Sequence, residues 1–268
     1  RATLSVYETT RKHLQAFEKK KRTKLAFESM NREFYDKLCD YFFQKAGITS
    51  NTIGKYIKTL KTFLHYAEEM GIYVNPSFRK FKVLKEETEI IYLNEKELNA
   101  LLDLDLSQNK RLRNVRDVFC FCCFTGLRFS DVETLMPNQI LEDRIQITTQ
   151  KTKDRLTIPL LPQAREILSQ HKDQYITALP TISNQKTNAY LKELGTLAEL
   201  NAPVTVIQYF GSKRDEQTYP KHEKLTTHLA RKTFVTLALE KGMRPETIMK
   251  ITGHKDFKAM KPYIKLVD

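Results

Sequence analysis

The sequence predicts a mainly α-helical fold with a small antiparallel β element, laid out as a helical domain over residues 1–87 and a larger domain over 88–268. Apolar residues recur three and four apart along most of the chain, the period of a half-buried helix. That period gives way to strict alternation in short runs around residues 144–160. Asn75-Pro76 and an aperiodic stretch over 77–90 separate the two parts.

In the first part, Leu4–Phe17 and Asn31–Gln44 carry helical spacing, and Thr52–Met70 sets Ile53, Tyr56, Ile57, Leu60, Phe63, Leu64 and Ala67 on one broad face. Ser50 or Asn51 caps that helix and Gly71 ends it. In the second part, Asn94 and Glu97 have capping-box spacing, with Leu98, Leu101 and Leu102 behind them. Residues 112–124 form a strongly apolar, buried helix, and Ser130 and Glu133 repeat the capping pattern before Pro137. Ile145 and Ile147, then Leu156 and Ile158, alternate on either side of the polar turn 150–154, which reads as a short antiparallel hairpin or two edge strands. Helices follow from Pro162 to Leu168 and over 185–200, then a strand over 204–210 and a charged loop reaching Lys224. Thr227–Glu240 and Pro245–Ile251 complete the helical pattern.

The chain has 268 residues, 41% hydrophobic and 29% charged, and so buries a core without disulfides or metals. Its densest apolar run, Val118 to Phe124, is far short of a membrane span, and no secretory pattern opens the sequence. Cytoplasmic residence and no membrane partner are the expectation. The cysteines, Cys39, Cys120, Cys122 and Cys123, lack zinc-site spacing and read as small buried side chains.

Charge points to a polyanion. The net charge is +13, and residues 1–87 hold 18 basic against 10 acidic side chains. Lys55, Lys58 and Lys61 form a ridge opposite the apolar face of their helix, and Arg79, Lys80, Lys82 and Lys85 follow in the stretch after it. A plain solvated face is the competing reading of the ridge.

Polar clusters in the second part carry the chemistry. Arg128 follows a buried helix, where a guanidinium suits a phosphate or an ion pair with Asp131 or Glu133. His228 and Arg231 lie one helical turn apart, a pair able to bind an anion and move protons. Gly253 permits a sharp turn that aims His254 back toward that helix. Tyr263 sits among Lys255, Lys258, Lys261 and Lys265; a phenol with a pKa near 10 needs such positive surroundings, or a base, to attack phosphorus. Each fragment alone is weak, and Tyr263 alone is as readily a packing residue.

Their order changes the weighing. TGLRFSDVETL, QKTKDRLTIPL, HLARKTF, ITGHKDF and then Tyr263 resemble the catalytic domain of the tyrosine recombinase, or phage integrase, family over residues 92–265. The basic helical segment resembles that family's SAM-like core-binding domain, and the whole is most similar to integrases of Bacteroides-type mobile elements. The resemblance implies a site-specific recombinase that cleaves and rejoins DNA through a 3′-phosphotyrosyl link, with no cofactor and no metal. It implies Arg128 and Arg231 as the two catalytic arginines and His228 as the histidine of the HxxR pair. Lys151 matches the turn lysine that protonates the leaving oxygen, with Lys153 its competitor and a further DNA contact. His254 occupies a position held by His or Trp, Asp131 the acidic position after the first arginine, and Tyr263 that of the nucleophile. Arginines and histidines together are expected to act as fixed cationic donors to the phosphate.

The implied partners are double-stranded DNA held by both domains, a homo-tetramer on paired sites and an accessory DNA-bending protein, with nucleoid association. Arg1 in place of Met and the five residues after Tyr263 lead to the expectation of further terminal segments. Pro262 implies that Tyr263 lies on a segment less regular than a helix. A type IB topoisomerase-like enzyme and a non-catalytic DNA-binding protein are the competing readings.

Overall fold

The computed structural model describes residues 2–44 and 47–267, with side chains from residue 4 onward. The chain divides into two compact units: residues up to Glu89 together with Thr205–Gln217, and Ile90–Val204 together with Thr218 onward.

The first unit is built on three helices, α1 (Ala2–Lys21), α2 (Arg32–Phe43) and α3 (Ser50–Glu69). Phe17, Phe34, Leu38, Phe42, Ile53, Ile57 and Leu64 are buried between them, each worth about 1.5–3 kcal/mol of transfer free energy. Asn31 caps α2 by accepting from Phe34 N. The cap of α3 is Thr49, which accepts from Thr52 N, one residue before the expected Ser50 or Asn51. The stretch after α3 is not a free linker. Its 3-10 turn (Pro76–Lys80) buries Phe78, Tyr35 stacks on Phe81 at 5.0 Å, and the Tyr35 hydroxyl donates to the Lys82 carbonyl at 2.9 Å. Asn51 then accepts from Glu86 N at 2.8 Å and donates to Glu86 O at 3.1 Å. Aperiodic sequence hides this because its hydrogen-bonded ties run through backbone atoms of the stretch.

In the second unit, α5 (Lys110–Thr125) is the central helix. Phe119, Cys120, Phe121, Cys122 and Cys123 are all buried, so the C-terminal half of the helix is enclosed on every side. It packs against α4 (Glu95–Leu102), α7 (Pro162–His171), α8 (Asn184–Leu197) and α9 (Thr227–Glu240). A one-turn helix, α6 (Phe129–Val132), follows α5 directly. Because α6 opens at Phe129, Ser130 lies inside it and the expected cap with Glu133 does not form. The Asn94–Glu97 capping box does form. Arg116 and His171 both bond to the buried Asp117, at 2.9 and 2.8 Å, fastening α5 to α7.

Strands β1 (Arg144–Thr148) and β2 (Arg155–Pro159) pair antiparallel, with Ile145 opposite Ile158 and Ile147 opposite Leu156. These apolar residues face the core and their neighbours face water. A second strand pair, β3 (Pro203–Phe210) and β4 (Lys213–Pro220), stands where a charged loop was expected after residue 210. β4 has no apolar alternation because it pairs through its backbone and leaves most of its side chains exposed. α10 (Pro245–Thr252) packs on β2, and α11 (Lys261–Val267) on α9. Pro262 occupies the first turn of α11, where its missing N–H costs nothing, so Tyr263 is helical rather than irregular. Among the described residues no helix is long and apolar enough to cross a membrane.

Gly54 of α3 marks the closest backbone approach, since a Cβ there would sit 1.9 Å from the Leu84 carbonyl oxygen. Gly54→Ala should therefore destabilise the first unit by about 3 kcal/mol, the upper end for overpacking. Thermal unfolding followed by circular dichroism checks this, with Ala67→Gly on the same helix as a contrast that removes bulk instead of adding it.

Candidate active site

Two helix ends set the frame. Gly126 closes α5 at φ +67°, and Gly253 closes α10 at φ +68°. Such left-handed caps turn the chain without a Cβ penalty. Past the first lies Arg128, past the second His254.

Arg128 precedes α6 with its side chain only 19% exposed. Its Nη1 and the Oδ2 of Asp131 are buried and without hydrogen-bond partners, and they stand 3.9 Å apart. The tight bond of Asp131 goes elsewhere: its Oδ1 accepts from Gln150 N at 2.7 Å. Asp131 thus faces the guanidinium with one oxygen and holds the β1–β2 turn with the other. An ion pair with Arg128 alone was the simpler expectation.

The turn itself is closed by Thr149 N donating to Asp154 O at 2.9 Å and by Asp154 N donating to Thr149 Oγ1 at 3.1 Å. Lys255, next to His254, pairs with Asp154 at 2.9 Å. The turn is therefore tied on one side to α6 and on the other to the loop after α10. Lys151 and Lys153 are both exposed in it, Lys153 at φ +57°. Lys151 is the one whose charge acts on His228.

Arg231 on α9 is almost completely buried, at 3% exposure. Its Nη1 donates to the Gly126 carbonyl at 2.8 Å and its Nη2 to the Thr252 carbonyl. Nη2 also faces His254 Nε2 at 3.4 Å. Burial, then Arg128, lowers its pKa to about 10, which leaves it cationic at neutral pH. Burial lowers His254 to about 4, helped by Arg231, Arg128 and His228. His228, one turn before Arg231, is lowered by burial and then by Lys232, Arg231, Arg128 and Lys151. Both shifts favour the neutral ring, so in the free protein the fixed positive charge among these four groups lies with the arginines. Tyr263, half-buried on α11, is raised by burial and drawn back by Arg231.

Arg128, Lys151, His228, Arg231, His254 and Tyr263 thus share one electrostatic neighbourhood within the second unit. Sequence reasoning missed Thr252, whose carbonyl receives Arg231, and the Lys255–Asp154 tie. Carbonyl acceptors carry no residue-type signature; the hydroxyl two residues before His254 was the available signal. Among the described residues no group of three or more His, Cys, Asp or Glu side chains is arranged to hold a metal ion.

The basic residues of the first unit fall into two sets. Lys55, Lys58, Lys80, Lys82 and Lys85 are exposed. Lys61 is not part of a free ridge: its ammonium donates to the carbonyls of Arg79 and Phe81 at 2.7 and 2.9 Å. Arg79 in turn pairs with Glu68 at 2.8 Å.

Known proteins share both the fold and the sequence pattern. The crystal structure of a lambda integrase dimer bound to a COC′ core site superimposes with a TM-score of 0.73 at 15% identity, over 98% of this chain and 88% of that one. The Tn1549 transposon integrase in complex with transposon right end DNA gives 0.69 at 16% identity, over 98% and 89%. The integrase of Haemophilus phage HP1 is 33% identical over 91 residues, 34% of this chain and 26% of that protein. A tyrosine recombinase of Thermosipho africanus is 25% identical over 224 residues, 81% of this chain and 72% of that protein. Residues 1–83 match the phage integrase SAM-like domain and residues 92–268 the phage integrase family. The chain belongs to the phage integrase family of tyrosine-type site-specific DNA recombinases.

Proposed function

We propose that this chain cleaves and rejoins DNA strands through a 3′-phosphotyrosyl intermediate, with Tyr263 as nucleophile. The observation that carries the reading is the buried Arg231 guanidinium, seated against His254 and acting on Tyr263. A buried cation beside a phenol and an unpartnered Arg128 N–H suits a phosphodiester, whose equatorial oxygens accept such donors. In the forward step the Tyr263 oxygen bonds to phosphorus, the bond from phosphorus to the deoxyribose 5′ oxygen breaks, and the phenolic proton passes to solvent. The 5′ oxygen takes a proton from Lys151, on the turn that the Asp131–Gln150 contact ties to α6. One diester replaces another, so a 5′-hydroxyl from a second strand reverses the step.

Residues 1–87 serve as the core-binding domain and 88–268 as the catalytic domain. The exposed lysines Lys55, Lys58, Lys80, Lys82, Lys85 and Lys153 hold phosphates. Lys61 and Arg79 shape the segment that carries part of this set. Four protomers gather on two paired duplex sites, with an accessory DNA-bending protein, in the cytoplasm and on the nucleoid. Integration or excision of a Bacteroides-type mobile element fits the sequence likeness.

Tyr263→Phe should bind duplex sites as wild type does and form no covalent adduct on a nicked suicide substrate, read on a denaturing gel. A full yield of adduct from this variant defeats the assignment.

Lys151→Ala should slow cleavage by about 10²–10⁴-fold, the range for one general acid. A 5′-bridging sulfur, which leaves without protonation, should restore much of that loss. Lys153→Ala should cost less and show no selective rescue; the opposite pattern exchanges the two lysines.

Stability should also depend on pH in a defined window. An unfolded histidine titrates near 6.5 and His254 in the fold at about 4, so between them the unfolded chain binds more protons. The contribution of neutral His254 is complete above pH 6.5 and is lost as pH falls toward 4. The thermal midpoint should decline over that interval in wild type and decline less in His254→Gln.

A further inference from the structure

Thr252 is the last residue of α10 and is fully buried. Its Oγ1 lies 2.6 Å from the Ile248 carbonyl oxygen. A carbonyl cannot donate, so the hydroxyl proton lies on that line. The same Oγ1 lies 2.8 Å from His254 Nδ1. A hydroxyl has one proton, already committed to Ile248, so Oγ1 accepts here and the hydrogen belongs to Nδ1. The longer contact on the far side of the ring agrees. Nε2 faces Arg231 Nη2 at 3.4 Å, and a guanidinium only donates. A hydrogen on Nε2 would oppose one on Nη2. Only the neutral ring with a protonated Nδ1 and a bare Nε2 satisfies both contacts.

We propose that Thr252 is a positioning residue for His254: the chain from the Ile248 carbonyl through the Thr252 hydroxyl holds the imidazole as the Nδ1–H tautomer and leaves the Nε2 lone pair aimed at Arg231. Thr252 does this with its side chain while its own backbone carbonyl receives the Arg231 guanidinium, so one residue orients both groups.

The chemical consequence rests on the reading of the site as a phosphodiester site. Nε2 enters the reaction as an acceptor and can donate to a phosphate oxygen only after taking a proton from solvent. The charged and titratable groups that act on it are Arg231 and His228 on α9 and Arg128 before α6; Lys255 on its own loop is paired with Asp154. The two guanidiniums oppose the proton in the empty site, and a phosphate anion placed among them favours it. Phosphate binding is thereby coupled to proton uptake at His254, with Thr252 accepting from Nδ1 in both charge states.

The tautomer is read from the ring ¹⁵N shifts of His254 in full-length, ¹⁵N-histidine-labelled protein without DNA at neutral pH. A protonated Nδ1 and a bare Nε2 are expected, in wild type and in Thr252→Ser. Thr252→Val keeps the shape, removes the hydroxyl and should move the ring toward the Nε2–H form. On a suicide duplex, Thr252→Val should lower adduct formation about tenfold near neutral pH, the weight of one hydrogen bond, and Thr252→Ser should recover it. Because the Nε2–H ring donates while neutral, the ratio of Thr252→Val to wild-type rates should rise with pH. A bare Nδ1 in wild type, or a Thr252→Val protein with unchanged spectrum and unchanged rate ratio, overturns the inference. The wild-type and Thr252→Ser spectra decide it even where the Val variant does not fold. The expected tautomer in a protein that forms no tyrosyl adduct leaves Thr252 in its role and overturns the functional reading instead.

Discussion

The burial of one guanidinium organises the second unit. Arg231 has almost no access to water, and an isolated cation in that position would be driven to lose its charge. It stays charged because two helices end at it. The Gly126 carbonyl terminates α5 and the Thr252 carbonyl terminates α10, and both belong to the groups a helix leaves unsatisfied at its C-terminus. These ends also carry the negative pole of the helix. The guanidinium thus satisfies the helix ends and the helix ends satisfy it. The left-handed glycines that follow them are what release the chain toward Arg128 on one side and His254 on the other.

Around that seat the charges are unequal by design of burial. Desolvation and the neighbouring arginines push His228 and His254 toward the neutral form. The lysine turn is set by separate means, through Asp131 on one side and Lys255 on the other.

Much of the fold was legible because its periods are strong. The α9 helix runs over Thr227–Glu240 as the spacing indicates, and the Asn94 capping box forms. Ile145, Ile147, Leu156 and Ile158 face the core, as their alternation indicates. The failures share a cause. β4 was hidden because its backbone does the pairing; Ser130 because α6 is too short for the cap it suggests; Lys61 because its partners are carbonyls. At the candidate site the residue types could be picked from ordered motifs, but what holds Arg231, and which nitrogen of His254 carries the hydrogen, depend on main-chain oxygens and one hydroxyl that no motif marks.

The enclosed α5 carries a consequence of another kind. Its three thiols and Cys39 of the first unit are all buried and free. Burial raises every one of them, Cys122 to about 12, so none is a thiolate at neutral pH. The thiolate is the nucleophile toward alkylating reagents and peroxide, and these must wait for the protein to open before meeting one. The chain therefore contains two built-in clocks: modification of Cys39 times the opening of the first unit, and modification of the cysteines of α5 times the opening of the helix that seats Arg231.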